Sequence, residues 1–254
     1  MELRTPEEIL IMAEGGQHLA EVLQQLRSEV KAGISTLALD KIAHDLIVNF
    51  GDIPAFLNYR PGGAQRAYPY TLCASVNDVI VHGQPSAQYM LEEGDIIKLD
   101  LGLKHKGLYL DSAITVAVGK ISSQAKKLIT VTEEALYAGI KEAKVGKTLG
   151  DVGFAIQKIV TKNGFSVAEG LTGHGIGKTL HDDPIVFNFG QKGRGEKLVA
   201  GMVLAIEPMV AVGRGDIVQL RDESYGMMDN SLSAQFEHTV AITEKGPQIL
   251  TKIQ

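Results

Sequence analysis

KAGISTLALDKIAHDLIVNFG, from Lys31 to Gly51, lies without gaps over KVGKTLGDVGFAIQKIVTKNG, from Lys144 to Gly164. A lysine, a first glycine (Gly33, Gly146), a hydroxyl residue suited to a helix N-cap (Ser35, Thr148) and a closing glycine (Gly51, Gly164) recur at the same offsets. In the first copy Leu39, Ile42, Ala43, Leu46 and Ile47 follow helical spacing between these marks. A second echo lies further along each half. GDIIKLD (Gly94 to Asp100) matches GMVLAIE (Gly201 to Glu207), a glycine opening an apolar run that closes on an acid six residues later. One such match between Gly-ended helices would be weak; two in the same order point to an internal duplication. Residues 1–254 therefore read as a single domain with halves of about 1–120 and 121–254. Facing halves would bring the two acids together in a central cleft.

The remaining elements fit a repeated helix pair plus strands, an α/β (α+β) fold. Thr5, Pro6 and Glu8 form a capping-box pattern ahead of Ile9, Met12, Leu19, Val22, Leu23 and Leu26, an amphipathic helix ending near Gly33. Gly15 and Gly16 weaken its middle by roughly 1 kcal/mol each, which predicts a bend there. TLCASVNDVIV, DIIKLDLGL, LYLDSAITVAV, MVLAIEPMV and HTVAIT carry the branched, partly alternating composition of strands. Lys104-His105-Lys106-Gly107 reads as a turn between the strands of Asp100 and Asp111. A hairpin there folds the two aspartates back to the same end.

Composition narrows the class. The 254 residues are 22% charged, with net charge −5, sequence pI ≈ 5.8 and no basic block, which argues against nucleic-acid binding. Cys73 is the sole cysteine, so no intrachain disulfide is possible and a reducing compartment is expected. The N-terminus has no signal-peptide pattern and no stretch approaches the ~20 apolar residues of a membrane span. These features predict a cytoplasmic protein.

Asp100, Asp111, Glu207 and Glu237 lie in or beside apolar strand patterns, and His174 is flanked by glycines in GHGIG. Acids in such places normally answer a Lys or Arg, since an unpaired buried charge is costly, yet no matching buried cation is evident beside them. One imidazole and four carboxylates suit a pair of divalent ions better than a structural zinc, which prefers cysteine-rich shells. Paired ions can share and activate a water, so the chain reads as a metallohydrolase. Of the other histidines, His82 follows an apolar strand and His181 lies seven residues after His174, both placed for function. His18, His44 and His105 read as solvated, and His238 should face away from Glu237. The Gly-Lys-Thr triplets at 146–148 and 177–179 are not phosphate loops, because the required first glycine is Lys141 or Thr172.

LCASVNDVIVHG, the aspartates eleven apart, GHGIG with a histidine seven residues on, IEPM and LSAQFEHT together resemble the methionine aminopeptidases, specifically the short bacterial type I form, over nearly the whole chain. The resemblance implies the pita-bread fold and hydrolytic removal of the initiator methionine from nascent chains, preferentially before a small second residue. It implies metal ligands Asp100, Asp111, His174, Glu207 and Glu237, with Asp111 and Glu237 shared by two divalent ions (Co, Mn, Fe or Zn) and Glu207 as general base. It further implies substrate contacts from His82 and His181, and a methionine pocket near Tyr59, Tyr68 and Cys73. A monomer with transient ribosome association, no membrane and no sequence-specific nucleic acid is the implied setting. The chain departs from the family in a longer Arg60–Ala67 loop, in Leu180 where an aromatic is common, and in having no Trp. A looser methionine pocket is therefore expected.

Overall fold

The computed structural model describes residues 2–60 and 66–252; part of the Arg60–Ala67 loop, 61–65, lies outside the described residues. Helices α1 (Pro6–Glu29), α2 (Thr36–Asn49), α3 (Ser123–Glu142) and α4 (Leu149–Lys162) form two pairs, one in each half. A nine-stranded sheet, antiparallel at every recorded pairing, runs through the molecule. One hydrophobic core lies under α1 and α2, a second under α3 and α4.

The duplication is visible down to single hydrogen bonds. Ser35 and Thr148 cap α2 and α4 by accepting the Ala38 and Asp151 N–H. Gly33 and Gly146 hold φ of 85° and 84°, and Gly51 and Gly164 hold 79° and 81°, left-handed conformations that glycine adopts at little cost. Gly33 N–H donates to the Leu91 carbonyl at 2.8 Å, and Gly146 N–H to the Leu198 carbonyl at 3.0 Å. The same turn is thus built twice.

Within the nine-stranded sheet the two halves meet on a short ladder. Strand Leu108–Ala117 pairs with Glu237–Thr243 at only Glu237↔Ala113 and His238↔Ser112. Side-chain hydroxyls extend it on either side. Ser112 Oγ donates to the Glu237 carbonyl at 2.7 Å, Thr115 Oγ1 to the Gln235 carbonyl at 2.7 Å, and Thr239 Oγ1 to the Asp111 carbonyl at 2.7 Å. All three hydroxyls are buried, where such bonds replace water that cannot enter.

Several expectations are revised. The run from Thr71 to Val81 is two strands, Cys73–Val76 and Val79–Val81, with Asn77 at φ 52° between them. The run around Glu207 is likewise split: Val203–Ile206 belongs to the large sheet and Met209–Ala211 to a three-stranded sheet with Ser233–Gln235 and Ser166–Val167. His105 is not solvated. It is 5% exposed, and its Nδ1 lies 2.6 Å from Asp52 Oδ1 while His18 Nδ1 lies 2.7 Å from Asp52 Oδ2. One buried carboxylate ties α1 to the Ile96–His105 strand through both imidazoles.

Helix α1 also runs unbroken through Gly15 and Gly16, with no break in the helix at the pair. Both are buried and serve close approach: a Cβ on Gly16 would lie 2.1 Å from the Leu250 carbonyl oxygen, and one on Gly15 2.5 Å from His105 Cβ. Helix propensity alone makes Gly→Ala favourable by about 1 kcal/mol; the backbone collision at Gly16 reverses the sign. Gly16→Ala is expected to destabilise by about 1–3 kcal/mol, lowering Tm by roughly 2–4 °C per kcal/mol in a thermal melt. An unchanged or raised Tm would refute this packing role.

Candidate active site

Each candidate residue is placed by a break or a pairing in the sheet. Asp100 sits mid-strand opposite Ala113, and Asp111 opposite Gly102, so the aspartates are diagonal neighbours on one face of the hairpin. Glu207 falls just after Val203–Ile206, where the chain leaves the large sheet ahead of Pro208. Glu237 opens the strand that re-enters that sheet after Phe236. His174 lies on Thr172–Gly175, opposite Ala205. The sheet thus gathers all five expected ligands at the floor of one cleft of about 1690 Å³.

The four carboxylates are 2–9% exposed. Burial raises all four pKa values: Asp100 is pushed up to about 7, and Asp111, Glu207 and Glu237 are pushed well above the carboxylate range, the neighbouring acids adding to the effect. Asp100 Oδ1, Asp111 Oδ1 and Glu237 Oε1 have no hydrogen-bond partner. Orphaned buried acceptors of this kind need an explanation.

His174 supplies the complementary feature. Its Nδ1 lies 2.8 Å from the Gly175 carbonyl, which can only accept, so the proton is on Nδ1. Burial lowers its pKa to about 4. At neutral pH, Nε2 therefore presents a bare lone pair, 3.7 Å from Glu207 Oε1. Ligand atoms of His174, Asp111 and Glu237 lie within 4.8 Å of one another. An imidazole oriented by a carbonyl, beside unpartnered carboxylate oxygens, matches the donor set of a divalent metal.

Around this floor stand the other expected residues. His82 follows Val79–Val81 with φ 60°, a conformation uncommon outside glycine, and its ring packs edge-on to Tyr225 at 5.8 Å. His181 contacts His174 edge to face at 4.4 Å, and its Nδ1 lies 2.8 Å from the Tyr59 hydroxyl. Both rings face the cleft; its walls depress the pKa of His82, and depress that of His181 to about 3 with help from the two other imidazoles. Cys73 is buried opposite Asp100, and the Tyr68 hydroxyl donates to the Leu72 and Gly83 carbonyls at 2.9 and 3.1 Å. Asp40 of α2 fixes this segment by accepting the Thr71 and Leu72 N–H.

Leu180 does not open the pocket. It is 2% exposed, packs in the α1/α2 core and is not among the residues lining the cleft, whereas Tyr225 is. The expectation that no buried cation accompanies the acids is also corrected by Lys98, two residues before Asp100 and fully buried. Its ammonium donates to the Asn77 and Ser233 carbonyls at 2.7 and 3.1 Å and reaches Ser233 Oγ at 3.3 Å, and burial lowers its pKa to about 7. It ties the turn before His82 to the strand before Glu237, but its hydrogen bonds go to neutral oxygens, not to the four acids. Gln235 and Asn188 were equally hidden in the sequence; their amides donate to Glu207 Oε2 at 3.1 Å and to its carbonyl at 2.9 Å. No local pattern marks them, because their partners come from other strands.

The family model of metallopeptidase family M24 matches residues 11–244. The methionine aminopeptidase of Clostridium perfringens is 44% identical over 254 residues, covering 99% of both chains, and methionine aminopeptidase 1 of Bacillus subtilis is 43% identical, covering 98% of both. Crystal structures of the methionine aminopeptidases of Rickettsia prowazekii and Thermotoga maritima superpose with TM-score 0.94, at 36% and 39% identity and 99% coverage of both chains. A prolidase from Pyrococcus furiosus, 21% identical with TM-score 0.77, shares the fold, with this chain spanning 66% of its length. With that fold, coverage and identity, the chain belongs to metallopeptidase family M24, among the methionine aminopeptidases.

Proposed function

We propose that this protein is a metal-dependent aminopeptidase that hydrolyses the N-terminal methionine from newly made polypeptides, preferring a small second residue. The observation that carries this reading is the free Nε2 of His174 facing carboxylates whose oxygens have no partner. Asp100, Asp111, His174, Glu207 and Glu237 would hold two divalent ions. When bound, such ions lower the pKa of a water and polarise a carbonyl. Glu207, held by Gln235, is the group to take the proton of the attacking water and return it to the departing amine. With the Tyr59 hydroxyl as donor to His181 Nδ1, that ring would carry its proton on Nε2, as a donor for the developing oxyanion. His82 is placed to hold the scissile nitrogen. Tyr59, Tyr68 and Cys73 would border the methionine side chain, and the crowding of His174, His181, His82 and Tyr225 supports a narrow approach for the second residue. The free, buried Cys73 fits a reducing cytoplasm, and no helix among the described residues is long and apolar enough to cross a membrane. A monomer meeting its substrates transiently at the ribosome completes the reading.

Kinetics with Mn²⁺ on Met-Ala-Ser and Met-Leu-Ser test it, the second expected slower by on the order of tenfold or more. His82→Ala and His181→Ala should keep bound metal but lose on the order of 10²-fold in kcat, whereas His174→Ala should lose metal. Equal rates on both peptides would refute the second-residue preference. Full metal occupancy in His174→Ala would refute the ligand assignment.

The raised carboxyl pKa values set a second expectation, for the metal-free protein. Folded-state values above the unfolded value of about 4 mean that the folded chain holds more protons, so stability falls as pH rises through that window. Glu237→Gln removes one such group while leaving His174, His181 and Lys98 in place. The metal-free variant should melt near wild type at pH 5 and roughly 3–10 °C higher at pH 8. A gap that does not change with pH would contradict the assignment.

A further inference from the structure

The strand Asp182–Phe187 starts inside the cleft, which Asp182, Asp183 and Ile185 line, and runs out along the end of the nine-stranded sheet. Its burial alternates. Pro184, Val186 and Asn188 are buried, while Ile185, Phe187 and Phe189 are 53%, 46% and 43% exposed. The exposed side chains share one face, and the Phe187 and Phe189 rings pack at 5.4 Å. None of the three belongs to a hydrophobic core cluster. Three large apolar groups side by side in water are a liability unless something uses them.

The stripe is also backed closely by α4. The Phe187 and Phe189 carbonyls press on Gly153 of α4 so closely that no side chain would fit there. From Ile185 to Phe189 it runs roughly 13 Å at about 3.3 Å per residue, room for about four residues of an extended chain. Elsewhere the cleft is lined by Leu220, Arg221, Asp222 and Glu223, a more polar stretch.

We infer that Ile185, Phe187 and Phe189 extend the substrate site, accepting apolar side chains of the substrate's own downstream residues as it leaves the cleft. The occupant is the polypeptide being trimmed, because Ile185 belongs to both the cleft lining and the stripe. This inference rests on the aminopeptidase reading above. Apolar residues a few positions beyond the scissile bond then favour turnover through KM, leaving the chemistry at the metals untouched.

The test uses two heptapeptides, Met-Ala-Ser-Gly followed by three leucines or by three serines, with Met-Ala-Ser as reference. Wild type should favour the leucine peptide by on the order of fivefold in kcat/KM, the scale of partial burial of one or two side chains. The double variant Phe187→Ser, Phe189→Ser should lose that preference while cleaving Met-Ala-Ser at the wild-type rate. Equal kcat/KM for the two heptapeptides in wild type, or a preference that survives in the double variant, overturns the inference. Failure on Met-Ala-Ser itself would instead condemn the aminopeptidase reading.

Discussion

Four carboxylates buried against one another at the floor of one cleft cannot all carry charge without cations beside them. Asp100, Asp111, Glu207 and Glu237 are each at least nine-tenths buried, and each is pushed towards its protonated form. A structure can accept that arrangement if the acids stay protonated or if cations of high charge take the place of the protons. The unpartnered oxygens of three of them and the bare Nε2 of His174 favour cations. Lys98 donates to carbonyls and a hydroxyl and not to any of the four acids.

Much of the architecture keeps those groups in place. Within the large sheet the seam between the halves carries two ladder pairs, which Ser112, Thr115 and Thr239 extend with buried hydroxyl bonds, and Val79–Val81 pairs with Tyr225–Met227 in a second ladder. Glu207 and Glu237 stand where the chain passes between the large sheet and the three-stranded sheet, so their side chains reach the cleft from breaks in the ladder. Lys98 then joins the turn leading to His82 to the strand leading to Glu237. Each half brings one acid from the same place in its repeat, Asp100 and Glu207, and the fold contributes their meeting.

The duplication was legible in the sequence because its marks are local chemistry. A glycine at positive φ, a hydroxyl cap and a closing glycine leave the same trace wherever the turn is built. The acids and His174 were legible because charge inside an apolar run needs a reason. What escaped depends on contacts between distant segments. Asp52 and His105 stand 53 residues apart, so nothing local distinguishes their buried pair from solvated surface groups. Gly15 and Gly16 look like flaws in a helix until Leu250 and His105 are seen against them. Leu180 looked like a pocket residue from its position beside His181, but its side chain is buried in the core under α1 and α2. Lys98 carries no local mark because its acceptors lie on segments distant in sequence, Asn77 and Ser233.

If divalent ions replace protons among these acids, metal binding must release protons. Calorimetric titration of the metal-free protein with Mn²⁺ at pH 7, in buffers of different ionisation enthalpy, measures that release directly. The account predicts a binding enthalpy that depends on the buffer, corresponding to release of on the order of one proton or more per chain. Tight binding with an enthalpy independent of buffer would show that the carboxylates are already charged without metal, and would contradict it.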